Sequence, residues 1–342
     1  MKLYKYVTSA RIDILQNQKI RFSQPYALND PFETQPYYSD HQEIHPLKKL
    51  AEFASIVKEV QDTGVIPEEK VARWEEDRKK PQKNILSWYV NTNFVSLSLT
   101  EDHENLLMWA HYTGNHSGFV LELDSTHAFF TDTTRYLYQV PYGNRRPAVT
   151  LREFEKLIVR QANLLKNGTP EANEMQKIVQ LFQKSHDWAY EREWRLLAVP
   201  ENALNFKKED QQYTIHIGQD RAFDEEFESS YVALFQLPAD CITAIYCGAR
   251  ITKSALRKLY LLIENNECYH HIDLFIGVVD HQYYKLNFRK VEAADILVVG
   301  ELQYHMAVVS GKRKRHVPKW YKFSMLDHLE KERLNAVIQH KV

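Results

Sequence analysis

With 342 residues, 44% hydrophobic and 26% charged side chains, the chain has the composition of a soluble globular protein and room for one core domain with additions. A net charge of −1 excludes a globally basic nucleic-acid binder, so any electrostatic partner must be met by a local patch. Cys241, Cys247 and Cys268 are too few and too irregular for a disulfide framework or a zinc knuckle.

Leu3–Val7 alternates as a short strand, Ser9 is placed to cap a helix over Ala10–Asn17, and Ile20–Ser23 reads as a second strand. Two prolines and an Asn-Asp pair make Gln24–Glu33 a loop, compact enough to form one wall of a pocket. From about residue 45 to 90 the apolar spacing predicts a helical insertion. Phe94–Leu99 alternates as a strand, with Phe94, Ser96 and Ser98 on one face and Val95, Leu97 and Leu99 on the other. Thr100 is then expected to cap a helix over Glu101–Tyr112 that Gly114 ends. Strands follow at Gly118–Asp124 and Tyr136–Tyr142, then amphipathic helices at Leu151–Leu165 and Asn173–His186. Further strands are expected at Tyr213–Ile217, Tyr231–Leu237 and Ile242–Cys247, a helix at Lys253–Glu264, and a hairpin from Ile272–Val279 to Tyr283–Phe288. Strands and helices alternate too irregularly for a doubly wound parallel sheet. The expected class is α+β, with small irregular mixed or antiparallel sheets flanked by helices. The core domain is placed at 1–289 and a C-terminal extension at 290–342; the extension's basic run Lys312, Arg313, Lys314 and Arg315 offers phosphates a contact patch.

Chemistry concentrates at Trp188–Arg195, Trp-Ala-Tyr-Glu-Arg-Glu-Trp-Arg, which leads into an apolar run of strand length. Strand alternation would set Glu191, Glu193 and Arg195 on one face, as either an ion network or the lining of a site. Similar clusters recur at Asn29–Glu33 and Met108–Tyr112, where His111 ends a helix beside Trp109 and Tyr112. Neither His41 with His45 nor His270-His271 with Asp273 has the arrangement of a metal site, and no glycine spacing fits a phosphate loop, so no metal is expected. The first residues lack a signal-peptide core, and no uncharged apolar run approaches the roughly 18 residues of a membrane span, which points to the cytoplasm and no membrane partner.

These motifs, from Leu3-Tyr4-Lys5-Tyr6 through Asn29-Asp30-Pro31-Phe32-Glu33 and Leu107-Met108-Trp109 to Tyr190-Glu191-Arg192-Glu193-Trp194-Arg195, with Gly248-Ala249-Arg250, resemble the bacterial domain-of-unknown-function family 2971 over about Met1 to Phe288. More distantly, an aromatic first strand, a serine-bearing second strand and a late strand-entry glutamate are similar to the ADP-ribosyltransferase fold. That similarity implies an enzyme cleaving NAD and passing ADP-ribose to a macromolecule, in defence or as a toxin. It assigns catalysis to Glu193 with Glu191, the glutamate favouring an oxocarbenium-like centre, and cofactor contacts to Tyr4, Tyr6, Ser23, Asn29, Asp30, Phe32, Trp109, His111, Tyr112 and Arg195. The histidine or arginine often found on the first strand of such enzymes is missing; Lys5 stands nearby. The alternatives are an enzyme acting on nucleic acid or a small-molecule nucleotide without NAD, and a non-catalytic ligand-sensing or interaction module.

Overall fold

The computed structural model describes residues 1–38, 90–91, 93–149, 151–205 and 233–296. The helical insertion expected at about 45–90 lies almost wholly outside these residues; the strand expected at Tyr213–Ile217 and the run Lys312–Arg315 lie wholly outside them. The chain divides into two compact units, Met1–Val291 and Glu292–Val342.

The first unit holds β1 (Lys2–Val7), α1 (Asp13–Asn17), β2 (Lys19–Phe22), β3 (Tyr37–Tyr38), β4 (Val95–Thr100), α2 (Leu106–Tyr112), β5 (Phe119–Asp124) and α3 (Ala128–Thr131). It continues with β6 (Tyr136–Gln139), β7 (Tyr142–Gly143), β8 (Ala148–Val149), α4 (Leu151–Lys166), α5 (Ala172–Gln180), β9 (Lys184–Ser185) and β10 (Glu193–Ala198). β11 (Ala233–Gln236), β12 (Ile242–Cys247), α6 (Lys253–Glu264), β13 (Asp273–Val279) and β14 (Leu286–Lys290) complete it, and the second unit contributes α7 (Ala293–Ile296). The class is α+β. One sheet gathers eight strands in the order β14-β13-β12-β5-β1-β4-β10-β6, and three two-stranded pairs stand beside it. Every neighbour pair in the large sheet is antiparallel except β12 with β13, which α6 connects.

β1 and β4 meet at a single pair, Tyr4 with Thr100, and β4 then turns its edge to the second strand region, where Ser23 and Ser96 exchange two backbone hydrogen bonds of 2.8 Å. Between these contacts the Lys5 ammonium donates to the Ser98 carbonyl at 2.8 Å, giving a partner to an acceptor at the splayed junction. Thr100 pairs with Tyr4 on one side and Glu193 on the other, so all three share a sheet face. Two apolar clusters cover that face. One joins Tyr138 and Leu197 to Ile158, Ala162 and Leu165 of α4 and Met175, Ile178 and Val179 of α5; the other joins Tyr6 and Val120 to Met108 and Trp109 of α2. The buried positions on α4 and α5 recur at three and four residues, as a helix laid on a sheet requires.

Gly118 and Gly248 allow close backbone approach. A Cβ on either would lie 2.1 Å from a carbonyl oxygen, that of Val7 for Gly118 and that of His116 for Gly248. Among the described residues, no helix is long and apolar enough to cross a membrane.

Several boundaries differ from expectation. Thr8 rather than Ser9 precedes the first helical turn, without a side-chain cap bond. α2 starts at Leu106, not Glu101, because the Asn105 carboxamide takes the cap, accepting from Leu107 N at 3.0 Å and Met108 N at 3.2 Å. The Thr100 hydroxyl instead donates to Glu191 O at 2.6 Å and accepts from Asp102 N. The helix expected to reach His186 ends at Gln180, and the residues after it bury Leu181 and Phe182 before entering β9. The last strand runs Leu286–Lys290, leaving Tyr283 and Tyr284 exposed in the hairpin loop.

Candidate functional site

Glu193 and Arg195 share a face of β10, as the alternation predicts, but Glu191 does not belong to that strand. It closes a 3-10 helix over His186–Glu191, and Arg192, at φ 43°, turns the chain in the left-handed region before the strand begins. Glu191 and Glu193 meet nonetheless at Lys184, carried by the short pairing of β9 with β7: the ammonium is 2.7 Å from Glu191 Oε2 and 3.1 Å from Glu193 Oε2. Arg195 reaches back to Glu193 with Nε at 2.7 Å and Nη2 at 3.0 Å, and Nη2 also pairs with Glu33. The Tyr112 hydroxyl donates to Glu191, and Asn29 donates to the Tyr112 oxygen at 2.9 Å.

The cluster is dry. Glu193 is 4% exposed, Arg195 1% and Lys184 3%. Burial opposes the charge on Glu193, yet Arg195 and then Lys184 outweigh it and hold the carboxyl down at about 2. Glu33 shares Arg195 without the two-pronged hydrogen bond, so burial prevails over the guanidinium and pushes it up to about 7. Burial also draws the Lys5 ammonium down to about 8 against the pull of Glu193. Lys184 and Arg195 pair directly with Glu191, Glu193 and Glu33, while Lys5 feels the Glu193 charge from its bond to Ser98 O. Paired and desolvated in this way, the cluster is a keystone between the two apolar clusters: Tyr138 pairs with Arg195 across β6 and β10, and Tyr112 packs with Trp109 and Tyr6.

The remaining candidate residues divide among separate places. Tyr4, Tyr6 and Trp109 are packing rings. Trp109 is fully buried and donates to His103 O at 2.7 Å, Tyr6 donates to Asp102 O at 2.9 Å, and Tyr4 lies 4.8 Å from the His103 ring. Ser23 serves the backbone bridge to Ser96, and His111 is exposed at the end of α2. Asp30 is buried and accepts from Phe32 N at 2.9 Å, while Phe32 itself is 56% exposed. Among the described residues, no group of three or more His, Cys, Asp and Glu side chains is arranged to hold a metal.

Phe32 stands on a cleft of about 200 Å³ whose lining includes Arg145, Arg146, Gln183, Lys184 and Ser185. Arg145 and Arg146 are exposed, and the Arg146 guanidinium lies 5.0 Å from the centre of the Phe32 ring. Gln183 fixes the basic loop by donating to Arg145 O at 2.6 Å. Lys184 belongs to both places: it lines the cleft and holds Glu191 and Glu193 behind it. No periodic pattern marks Arg145 and Arg146, which lie in a polar loop, and Lys184 falls within the stretch expected to be helical through His186. Glu33 stood in a motif noticed for its neighbours.

No curated protein matches the chain, and no solved structure does. Residues 108–196, which carry α2 from Met108 onward, the basic loop, Lys184 and the Glu191–Arg195 entry to β10, match the family described as Protein of unknown function (DUF2971).

Proposed function

We propose that the protein binds a phosphate-bearing small molecule in the cleft at Arg145 and Arg146, with the buried ion cluster as its rigid rear wall. The carrying observation is the pair of adjacent, exposed arginines on a concave surface beside a buried ion cluster: their charge is available, whereas the cations behind them are paired with carboxylates. Guanidinium groups suit phosphate because they present two donors in one plane. A volume of about 200 Å³ is below the usual range for whole drug-sized ligands and suits one or two phosphate groups with part of a sugar.

Titration of the full chain with pyrophosphate tests this reading. Arg145→Ala and Arg146→Ala are each expected to weaken binding about tenfold, as loss of a charged hydrogen bond of about 1.5–3 kcal/mol implies. Unchanged affinity in both variants would remove the cleft as the site.

A second reading, NAD cleavage with transfer of ADP-ribose to a macromolecule, is favoured by one observation: Lys184, on the cleft lining, touches both Glu191 and Glu193. It requires Glu193 to surrender Arg195 and Lys184 before it can face a ribose. Nicotinamide release from NAD tests it, and a folded Glu193→Gln protein releasing nicotinamide as fast as the parent would end it.

A further inference from the structure

Resting on the cleft reading, we infer that Phe32 and Arg146 form a stacking platform for a nucleobase, which makes the phosphate-bearing ligand a nucleotide. Phe32 belongs to neither apolar cluster and stands 56% exposed with the Arg146 guanidinium over its ring. A phenyl ring left more than half in water forgoes much of the stabilisation that burial brings, and its neighbours in the same loop do the opposite: Asp30 and Glu33 are each 4% exposed.

Hydrogen bonds fix the backbone that carries the ring. Asp30 accepts from Phe32 N at 2.9 Å, Asp30 O accepts from Glu33 N at 3.1 Å, Phe32 O accepts from Gln35 N at 3.3 Å, and Glu33 is tied to Arg195. A fixed aromatic ring with a guanidinium over it is a preformed flat surface, and bases stack on aromatic rings and on guanidinium planes alike. The surface is placed where a base would need it. The cleft has room for phosphates and part of a sugar, so the base of a bound nucleotide must rest at the rim, and Phe32 lines that cleft. The basic side of the cleft is tied to the same loop's exit: the Tyr37 amide donates to Pro147 O at 2.9 Å, and Pro147 lines the cleft.

The experiment compares pyrophosphate, ribose 5-phosphate and AMP by calorimetric titration of the full chain and of Phe32→Ala and Phe32→Trp. AMP is expected to bind at least tenfold more tightly than ribose 5-phosphate. Phe32→Ala should erase that margin, weakening AMP about tenfold more than it weakens pyrophosphate, and Phe32→Trp should keep it. Because Phe32 is exposed, both variants should unfold at the parent's temperature, which separates loss of stacking from loss of fold.

Equal binding of AMP and ribose 5-phosphate with pyrophosphate still bound would overturn the stacking platform and leave the phosphate cleft standing. Equal losses for pyrophosphate and AMP in Phe32→Ala would overturn it too, and failure of all three ligands to bind the parent would overturn both readings.

Discussion

Among the described residues, neutralising Glu193 while keeping its shape leaves Arg195 with only Glu33 as an ion partner and Lys184 with only Glu191, all of them out of water. Breaking a buried pair on one side is costly because the remaining charge has lost its compensation, so Glu193→Gln should lower the unfolding free energy by about 3–5 kcal/mol in a urea titration. A loss below about 1 kcal/mol would mean that the cluster does not hold the fold. The two carboxyls on Arg195 pull stability in opposite directions with pH. Glu193, lowered from 4.5 to about 2, contributes stability that is fully present above pH 4.5 and is lost as pH falls toward 2. Glu33, raised from 4.5 to about 7, contributes stability that is present below pH 4.5 and is lost as pH rises through 7. Of the two carboxyls, Glu33 is the one that changes protonation on folding between pH 4.5 and 7, and the other shifted groups, His103, His116 and Lys5, are common to both proteins, so the parent should lose stability from about pH 5 to about pH 8 relative to Glu33→Gln, whose side chain stays neutral. Parallel urea midpoints for the two proteins across that range would contradict the assignment.

Local patterns carried the strands and misled at the joints. The alternation of β4, β5 and β10 reads directly from residues such as Val95, Leu97 and Leu99, because a period of two needs nothing beyond the strand itself. Lys184 was hidden because the apolar spacing after Asn173 continues helically through Leu181 and Phe182, and the β7–β9 pairing that stops the helix is a tertiary contact. The start of α2 shows the same limit. Thr100 has the chemistry of a cap, but its hydroxyl is taken by Glu191 O from a distant segment, and Asn105 caps instead. Asn105 also donates to Tyr190 O at 2.9 Å, so one side chain fixes both the helix and the approach to the ion cluster. Asn105→Ala should therefore cost about 1–2 kcal/mol, at the upper end for a lost cap, read as a fall in the urea midpoint with unchanged slope. Asn105→Asp, which keeps the acceptor and loses the donor to Tyr190, should recover part of it.

At the scale of the molecule, a net charge near zero conceals a local arrangement that composition could not reveal: Lys184 and Arg195 behind the cleft are paired with carboxylates while Arg145 and Arg146 remain in water. Attraction of a phosphate to those exposed arginines is screened over a Debye length of about 10 Å at 0.1 M salt and about 3 Å at 1 M, whereas the dry pairs behind them are screened far less. Salt therefore separates the two: pyrophosphate affinity should fall steeply between 0.1 and 1 M sodium chloride, on the order of tenfold or more, while the unfolding midpoint changes little. The lining residues from Phe32 to Ser185 all belong to the unit Met1–Val291, which also contains the eight-stranded sheet and the apolar clusters around Tyr138 and Trp109. A fragment ending at Val291 keeps every residue of that cleft and of the ion cluster, so it should unfold in one cooperative transition and bind pyrophosphate with the affinity and salt slope of the full chain. A fragment that folds but binds pyrophosphate with a markedly shallower salt slope would place a phosphate contact in residues 292–342 and move the recognition away from Arg145 and Arg146.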